Sequence, residues 1–182
     1  NILESNNKMD LLVNRLLNLS RIERRDVLDN VEKVDVKTLI EEVVAAPSRI
    51  GNITSRSIKI EYDIDRDLSI KAEKLLAEQA IGNILDNAID FTPKGSTIGI
   101  KASESNTHII IQILDQGIGV PEHTKKQLFR RFFSSPRPDT GKRGNGLGLR
   151  FVKKIMSLHN GEVSLKNRFM EDGAVASLKF PL

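Results

Sequence analysis

Apolar positions along the chain recur at two different periods, and each period marks out its own segments. Over residues 1–25, Met9, Leu12, Leu16 and Leu19 fall three or four residues apart, with Val13 and Leu17 widening the stripe. That spacing predicts one long helix whose apolar face suits a helical bundle. A terminal helix packed on its own domain is the plainer alternative. Residues 26–34 are charged and aperiodic and read as a linker, after which Asp35 is the expected N-cap of a helix over 36–49. Residues 57–63 and 68–72 alternate apolar and polar positions like two strands. Leu75, Leu76, Ala80, Ile84, Leu85 and Ala88 restore a helical period across 73–91, and Thr92-Pro-Lys-Gly95 stops it. Residues 97–103 and 108–114 predict a strand pair, and the second is apolar enough for the centre of a sheet. A short helix is expected from Pro121 towards Phe133 and a longer one over 147–159, closed by Asn160–Gly161. Strands at 162–166 and 174–180 end the chain. This order predicts an α/β fold: a two-layer sandwich with helices on one face of a mixed sheet, preceded by one long helix.

One stretch fits neither period. Residues 134–146 hold two Pro, three Gly and four charged residues. A loop of that length inside a compact domain is usually either functional or disordered.

Composition narrows the chemistry. The chain of 182 residues has no cysteine, which excludes disulfides, Cys-ligated metal sites and a thiol nucleophile. Its three histidines, His108, His123 and His159, are too far apart in sequence to suggest a metal cluster. A net charge of +4, scattered along the chain, gives no basis for nucleic-acid binding. No apolar run reaches the ~18 residues of a membrane span. Asn1 in the first position leads us to expect a longer parent protein.

Three features could carry chemistry. Asn83, Asn87 and Asp90 lie four and then three residues apart, which puts them on one face of the expected helix. A solvated polar face explains them, and so does a metal site, because an amide oxygen suits Mg²⁺, which takes few protein ligands alongside phosphates. Asp115-Gln-Gly-Ile-Gly119 follows an apolar strand. It reads either as a tight turn or as a carboxylate and open backbone facing a flat ligand that carries an amine. Gly144-Asn-Gly-Leu-Gly-Leu149 opens a helix, either as a glycine-rich connector or as a phosphate cradle of free N–H groups.

Taken together and in order, these segments resemble the boxes of sensor histidine kinases of two-component systems. Asn83-Ile-Leu-Asp-Asn87-Ala-Ile-Asp-Phe-Thr-Pro93 looks like the asparagine box, Asp115–Gly119 the first glycine box, Phe129-Arg-Arg-Phe-Phe133 the phenylalanine box and Gly144–Leu149 the second glycine box. The aperiodic loop is then similar to the family's ATP lid, with Arg137, Lys142 and Arg143 expected to await the phosphates. Residues 1–25, ending Leu-Leu-Asn-Leu-Ser-Arg-Ile-Glu23, resemble the second helix of its dimerisation domain. Within the family, the Asp-Phe-Thr-Pro ending looks closest to sensors of the carbon-source-responsive, CreC-like type.

The resemblance implies the histidine kinase/gyrase-type ATP-binding fold over 35–182, a linker at 26–34 and a partial dimerisation domain at 1–25. It implies ATP and Mg²⁺ as cofactors, with Asn87 as the metal ligand, Asn83 at the phosphates and Asp115 accepting from the adenine amine. Gly117 and Gly119 would shape the adenine pocket, while Gly144, Gly146, Leu147 and Gly148 would meet the phosphates. Two positions depart from the family's pattern. Asp90 stands where a basic residue is frequent, and Ser134 where Arg or Lys often follows the phenylalanine box. Arg131, Lys142 or Arg143 are the expected sources of the missing positive charge.

The implied activity is transfer of the ATP γ-phosphate to a histidine upstream of Asn1 and thence to a response regulator. No catalytic residue is expected within the chain itself. The implied partners are that regulator and a second subunit, met through the full dimerisation domain. The implied location is the cytoplasmic side of a bacterial inner-membrane protein, anchored through segments outside this chain. The competing readings are an ATPase or a serine kinase of the same superfamily. Its hydrolases carry a glutamate four residues before the metal asparagine as general base, and here that position is Asn83, which cannot take a proton. Only Asp86 offers a carboxylate nearby.

Overall fold

The structure, a computed structural model, describes residues 13–14, 16–139, 141 and 143–182. Met9 and Leu12 of the expected stripe, and Lys142, lie outside the described residues. The first described element, helix α1, covers 13–14 and 16–23. It turns Leu19 and Ile22 inward, while Val13, Leu16 and Leu17 remain exposed.

Strand β1 (Glu32–Asp35) follows, then helices α2 (Val36–Val44) and α3 (Pro47–Ser55), strands β2 (Lys59–Ile64) and β3 (Ser69–Ala72) and helix α4 (Lys74–Phe91). Strands β4 (Thr97–Glu104) and β5 (His108–Leu114) lead to a 3₁₀ turn at Glu122–Gln127, helix α5 (Gly148–Leu158) and strands β6 (Glu162–Asn167) and β7 (Ala174–Pro181). Five strands form one sheet in the order β2-β4-β5-β7-β6. β2 runs parallel to β4, and the remaining neighbours are antiparallel.

Strict alternation explains the layering. Ile109, Ile111 and Ile113 of β5 and Ala176, Leu178 and Phe180 of β7 point to one face and are buried there. Leu39 and Ile40 of α2, Ile81, Leu85 and Ile89 of α4, and Val152 and Ile155 of α5 meet them in one core. The result is the two-layer α/β sandwich with a mixed sheet that the sequence pattern predicts.

Three local expectations need correction. Residues 36–49 are two helices, because Pro47 has no N–H to continue α2 and sits instead in the first turn of α3. Asp35 does cap α2 as expected, its Oδ1 accepting from the Thr38 N–H at 2.7 Å. The stretch read as linker ends in β1, which pairs antiparallel with β3 in a separate two-stranded sheet, so β2 and β3 are not partners. Four residues carrying a single buried apolar side chain, Val34, are too few to register as a period. The expected helix towards Phe133 is only the 3₁₀ turn, where Thr124 alone is buried and little apolar surface rewards a longer helix.

Candidate functional site

A cavity of about 1000 Å³ lies between α4, the end of β5, the start of α5 and the 134–146 loop. Helix α4 has to bury Ile84, Leu85, Ala88 and Ile89 against the sheet, so its polar face, Asn83, Asn87 and Asp90, turns into this cavity. Asn83 donates from Nδ2 to the Gln79 carbonyl at 2.7 Å, and its Oδ1 would lie 3.0 Å from a Cβ on Gly148. It therefore fixes the approach of α4 to the mouth of α5. Asn87 is half-buried and makes no side-chain hydrogen bond among the described residues, which leaves its amide oxygen free for a ligand.

Asp115 stands at the end of β5 with only 9% of its surface exposed. Its Oδ1 accepts from the Gly117 N–H at 2.8 Å and the Ala174 N–H at 3.1 Å. Burial raises its pKa above the ordinary carboxylate value, while these two N–H groups and the Arg168 charge act against the shift. Because both backbone donors grip Oδ1, Oδ2 is the oxygen left to accept from a ligand.

Helix α5 begins at Gly148 without a side-chain cap and without an acidic residue in its first turn. Gly148 and Leu149 line the cavity, so the free N–H groups and the positive dipole end open onto it. Described residues of the loop, Ser134, Pro136, Arg137 and Arg143 among them, also line the cavity. Pro136 and Arg143 form an isolated antiparallel bridge, the Gly141 N–H donates to the Arg137 carbonyl at 2.9 Å, and Asp139 pairs with Arg56 at 2.7 Å. Gly146 joins the loop to the preceding turn: it has φ +67°, its carbonyl accepts from the Phe132 N–H at 3.0 Å, and a Cβ there would collide with the Phe132 backbone.

Of the residues singled out in the sequence, Asn83, Asn87, Asp115, Gly119, Arg143, Gly144, Gly146 and Gly148 line the cavity. Gly117 and Leu147 do not line it. Gly117 acts through its N–H on Asp115, and Leu147 is buried at the start of α5. Arg131 also lies outside the lining, because its guanidinium pairs with Glu23 of α1, as does Arg150 at 3.1 Å. Asp86 is held by Arg49, with Nε to Oδ1 at 2.8 Å and Nη2 to Oδ2 at 3.3 Å.

No group of three or more His, Asp or Glu among the described residues could hold a metal ion. The lone amide of Asn87 fits a cation that brings most of its ligands with a nucleotide.

The family described as histidine kinase-, DNA gyrase B- and HSP90-like ATPase matches residues 72–182. The chain belongs to this ATPase family. Sensor protein CreC of Escherichia coli (strain K12) is 39% identical over 179 residues, covering 98% of this chain and 36% of its own length. The chain therefore spans about a third of that relative. The catalytic domain of histidine kinase ThkA superposes with a TM-score of 0.73 at 26% identity, covering 84% of this chain and 96% of that domain. A second ThkA structure, in complex with the response regulator protein TrrA, has a TM-score of 0.78 at 23% identity, covering 97% of this chain and 48% of that one, and shows likeness of fold.

Sequence reasoning missed three residues that shape the site of this family member. Ala174 supplies its backbone N–H to Asp115, and Gly173 makes that approach possible, since it has φ +107° and a Cβ would strike the Asp115 carbonyl. Asn167 clasps Val120, accepting from its N–H at 2.6 Å and donating to its carbonyl at 3.1 Å. These three act through pairing between distant segments, for which one sequence holds no signal. Arg137, one of the cations expected in the loop, lines the cavity.

Proposed function

We propose that this chain is the ATP-binding catalytic region of a two-component sensor histidine kinase. The observation that carries this reading is the meeting of Asp115 and Asn87 in one cavity, a carboxylate for the adenine amine and a free amide for phosphate-bound Mg²⁺. Residues 1–25 are then the second helix of the dimerisation domain, 26–34 the linker, whose last residues enter β1, and 35–182 the catalytic domain. The metal would neutralise charge developing on the phosphates, and the protein's own contribution is positioning.

In this reading an imidazole nitrogen on a helix upstream of Asn1 attacks the γ-phosphorus, the bond to the β-phosphate oxygen breaks and ADP leaves. A response regulator is the next acceptor, a second subunit completes the dimerisation domain, and segments outside this chain anchor the protein in the inner membrane. Among the described residues no helix is long and apolar enough to cross a membrane. The ATPase reading is disfavoured, because Asn83 cannot act as a base and both carboxylate oxygens of Asp86 are engaged by Arg49. A serine kinase of the same superfamily is disfavoured by α1, whose exposed Val13, Leu16 and Leu17 suit a bundle.

Calorimetry tests the assignment. Asn87→Ala should weaken Mg–ATP binding about tenfold more than metal-free ATP binding. Equal losses would move the metal site elsewhere.

A further inference from the structure

The lid and α4 are joined by an ion pair inside the cavity. Arg137 places Nη2 on Oδ2 of Asp90, one turn beyond Asn87, and both residues line the cavity wall. The pair is part-buried, and Nε of Arg137 is buried with no hydrogen-bond partner among the described residues. The same Nη2 would lie 4.0 Å from a Cβ on Gly144, so the guanidinium sits between the polar face of α4 and the glycine-rich segment before α5.

Its backbone is held as well. Pro136 and Pro138 flank it, and a residue before proline is confined to extended conformations. The turn to Gly141 and the Asp139–Arg56 pair tie the segment down on its far side. A long side chain that loses little freedom on binding gives up less affinity to ordering.

The geometry points to Arg137 as the cation that meets the nucleotide's phosphates, with Asp90 as the positioning residue that holds it there. This rests on the reading of the cavity as an ATP site. A carboxylate one turn after a metal-binding amide would repel a polyphosphate if it stood alone. Paired with a guanidinium, it is neutralised and becomes an anchor. Asp90 takes one edge of the planar fork, and donors remain for phosphate oxygens. The departure from the family pattern at position 90 and the lid arginine are thus two halves of one device. Of the cations the sequence suggested, Arg131 is committed to Glu23 instead.

Calorimetric titration of the 182-residue chain with Mg–ATP and with adenosine tests this, across Arg137→Ala, Asp90→Asn and the double variant. Arg137→Ala should lower ATP affinity about tenfold, the loss expected for a charge-assisted hydrogen bond, and leave adenosine affinity within about twofold. Asp90→Asn should raise ATP affinity in the Arg137→Ala background, where it removes a bare repelling charge. In the wild-type background, where it also removes the anchor, it should give no gain.

Such coupling is what a double-mutant cycle isolates. Unchanged ATP binding by Arg137→Ala, equal losses of ATP and adenosine, or the same gain from Asp90→Asn in both backgrounds would each overturn the inference. Adenosine binding by the variants separates these outcomes from misfolding. A wild-type chain that binds adenosine and ATP not at all would remove the ATP reading itself, and this inference with it.

Discussion

At the scale of single residues, Asp115 shows how burial and backbone donors together set the state of a carboxylate. Desolvation raises its pKa, and the Gly117 and Ala174 N–H groups that oppose the shift both engage Oδ1 and leave Oδ2 without them. Asp115→Asn should cost at least about tenfold in ATP affinity, because an amide can turn a donor towards the adenine amine. ATP titration indistinguishable from wild type would refute the pocket assignment. A pH dependence follows. Since the folded pKa lies above the ordinary one, the acceptor carboxylate is lost as pH falls through a window above the usual carboxylate range. Adenosine, which has no phosphates to titrate, should bind progressively more weakly across that window, and Asp115→Asn should show no such step. Asp115 was legible in the sequence as a carboxylate at a strand end followed by glycines. What stabilises it was not, because Ala174 and Arg168 arrive from a hairpin more than fifty residues away.

At the scale of elements, periodicity located β4–β7, α4 and α5 to within a residue or two, because each presents a long face to one core. It failed where an element is short or pairs with a distant partner. β1 carries only Val34 inward, and nothing local indicates that β2 lies parallel to β4 while β3 joins β1. The end of α5 shows a similar limit. At a helix C-terminus His159 reads as an imidazolium favoured by the dipole, yet it is buried, its Nε2 accepts from the Glu73 N–H at 3.1 Å and Nδ1 lies 2.8 Å from the Ile155 carbonyl. It also packs edge-on against Phe180, with ring centroids 5.7 Å apart.

This environment suits the neutral ring, and burial lowers the pKa although the Ile155 carbonyl and Glu73 oppose it. A histidine depressed in the folded state binds more protons when unfolded, so stability should fall as pH drops below the unfolded value near ~6.5. The loss should reach at most ~1.4 kcal/mol per pH unit and cease below the folded pKa. Thermal unfolding between about pH 7.5 and 5.5 checks this, and His159→Gln should flatten that part of the profile. An identical slope in the variant would assign the dependence to other groups.

At the scale of the whole molecule, α1 and the turn after it are tied to the α/β layers at two points. Glu23 joins Arg131 and Arg150, and Arg25 grips Glu73 with bonds of 3.1 and 2.7 Å at the start of α4. Burial of Glu23 works to raise its pKa, but the Arg150 and Arg131 hydrogen bonds outweigh it and lower the value; the Arg25 hydrogen bond is the leading cause of the lowering at Glu73. Glu23 at the end of α1 is therefore joined to Arg131 and to Arg150 of α5, and Arg25 in the turn that follows is joined to the start of α4. The same geometry decides where phosphate can go. An in-line acceptor needs an accessible imidazole nitrogen facing the γ-phosphorus. His159 has both ring nitrogens engaged within the core. His108 opens β5 with Nδ1 2.7 Å from the Thr107 hydroxyl, and it does not line the cavity. His123 does line the cavity, but from the 3₁₀ turn after the glycine-rich Asp115 segment, the wall assigned to the base and not to the phosphates. Residues 1–25 contain no histidine. Incubation of the 182-residue chain with γ-labelled Mg–ATP should therefore leave it unlabelled, and supplying a dimerisation domain with its phosphoacceptor histidine should restore labelling. Acid-labile phosphate on the chain alone, abolished by His123→Gln, would mean that the cavity's own wall is the acceptor and that the bundle helix is not where transfer occurs.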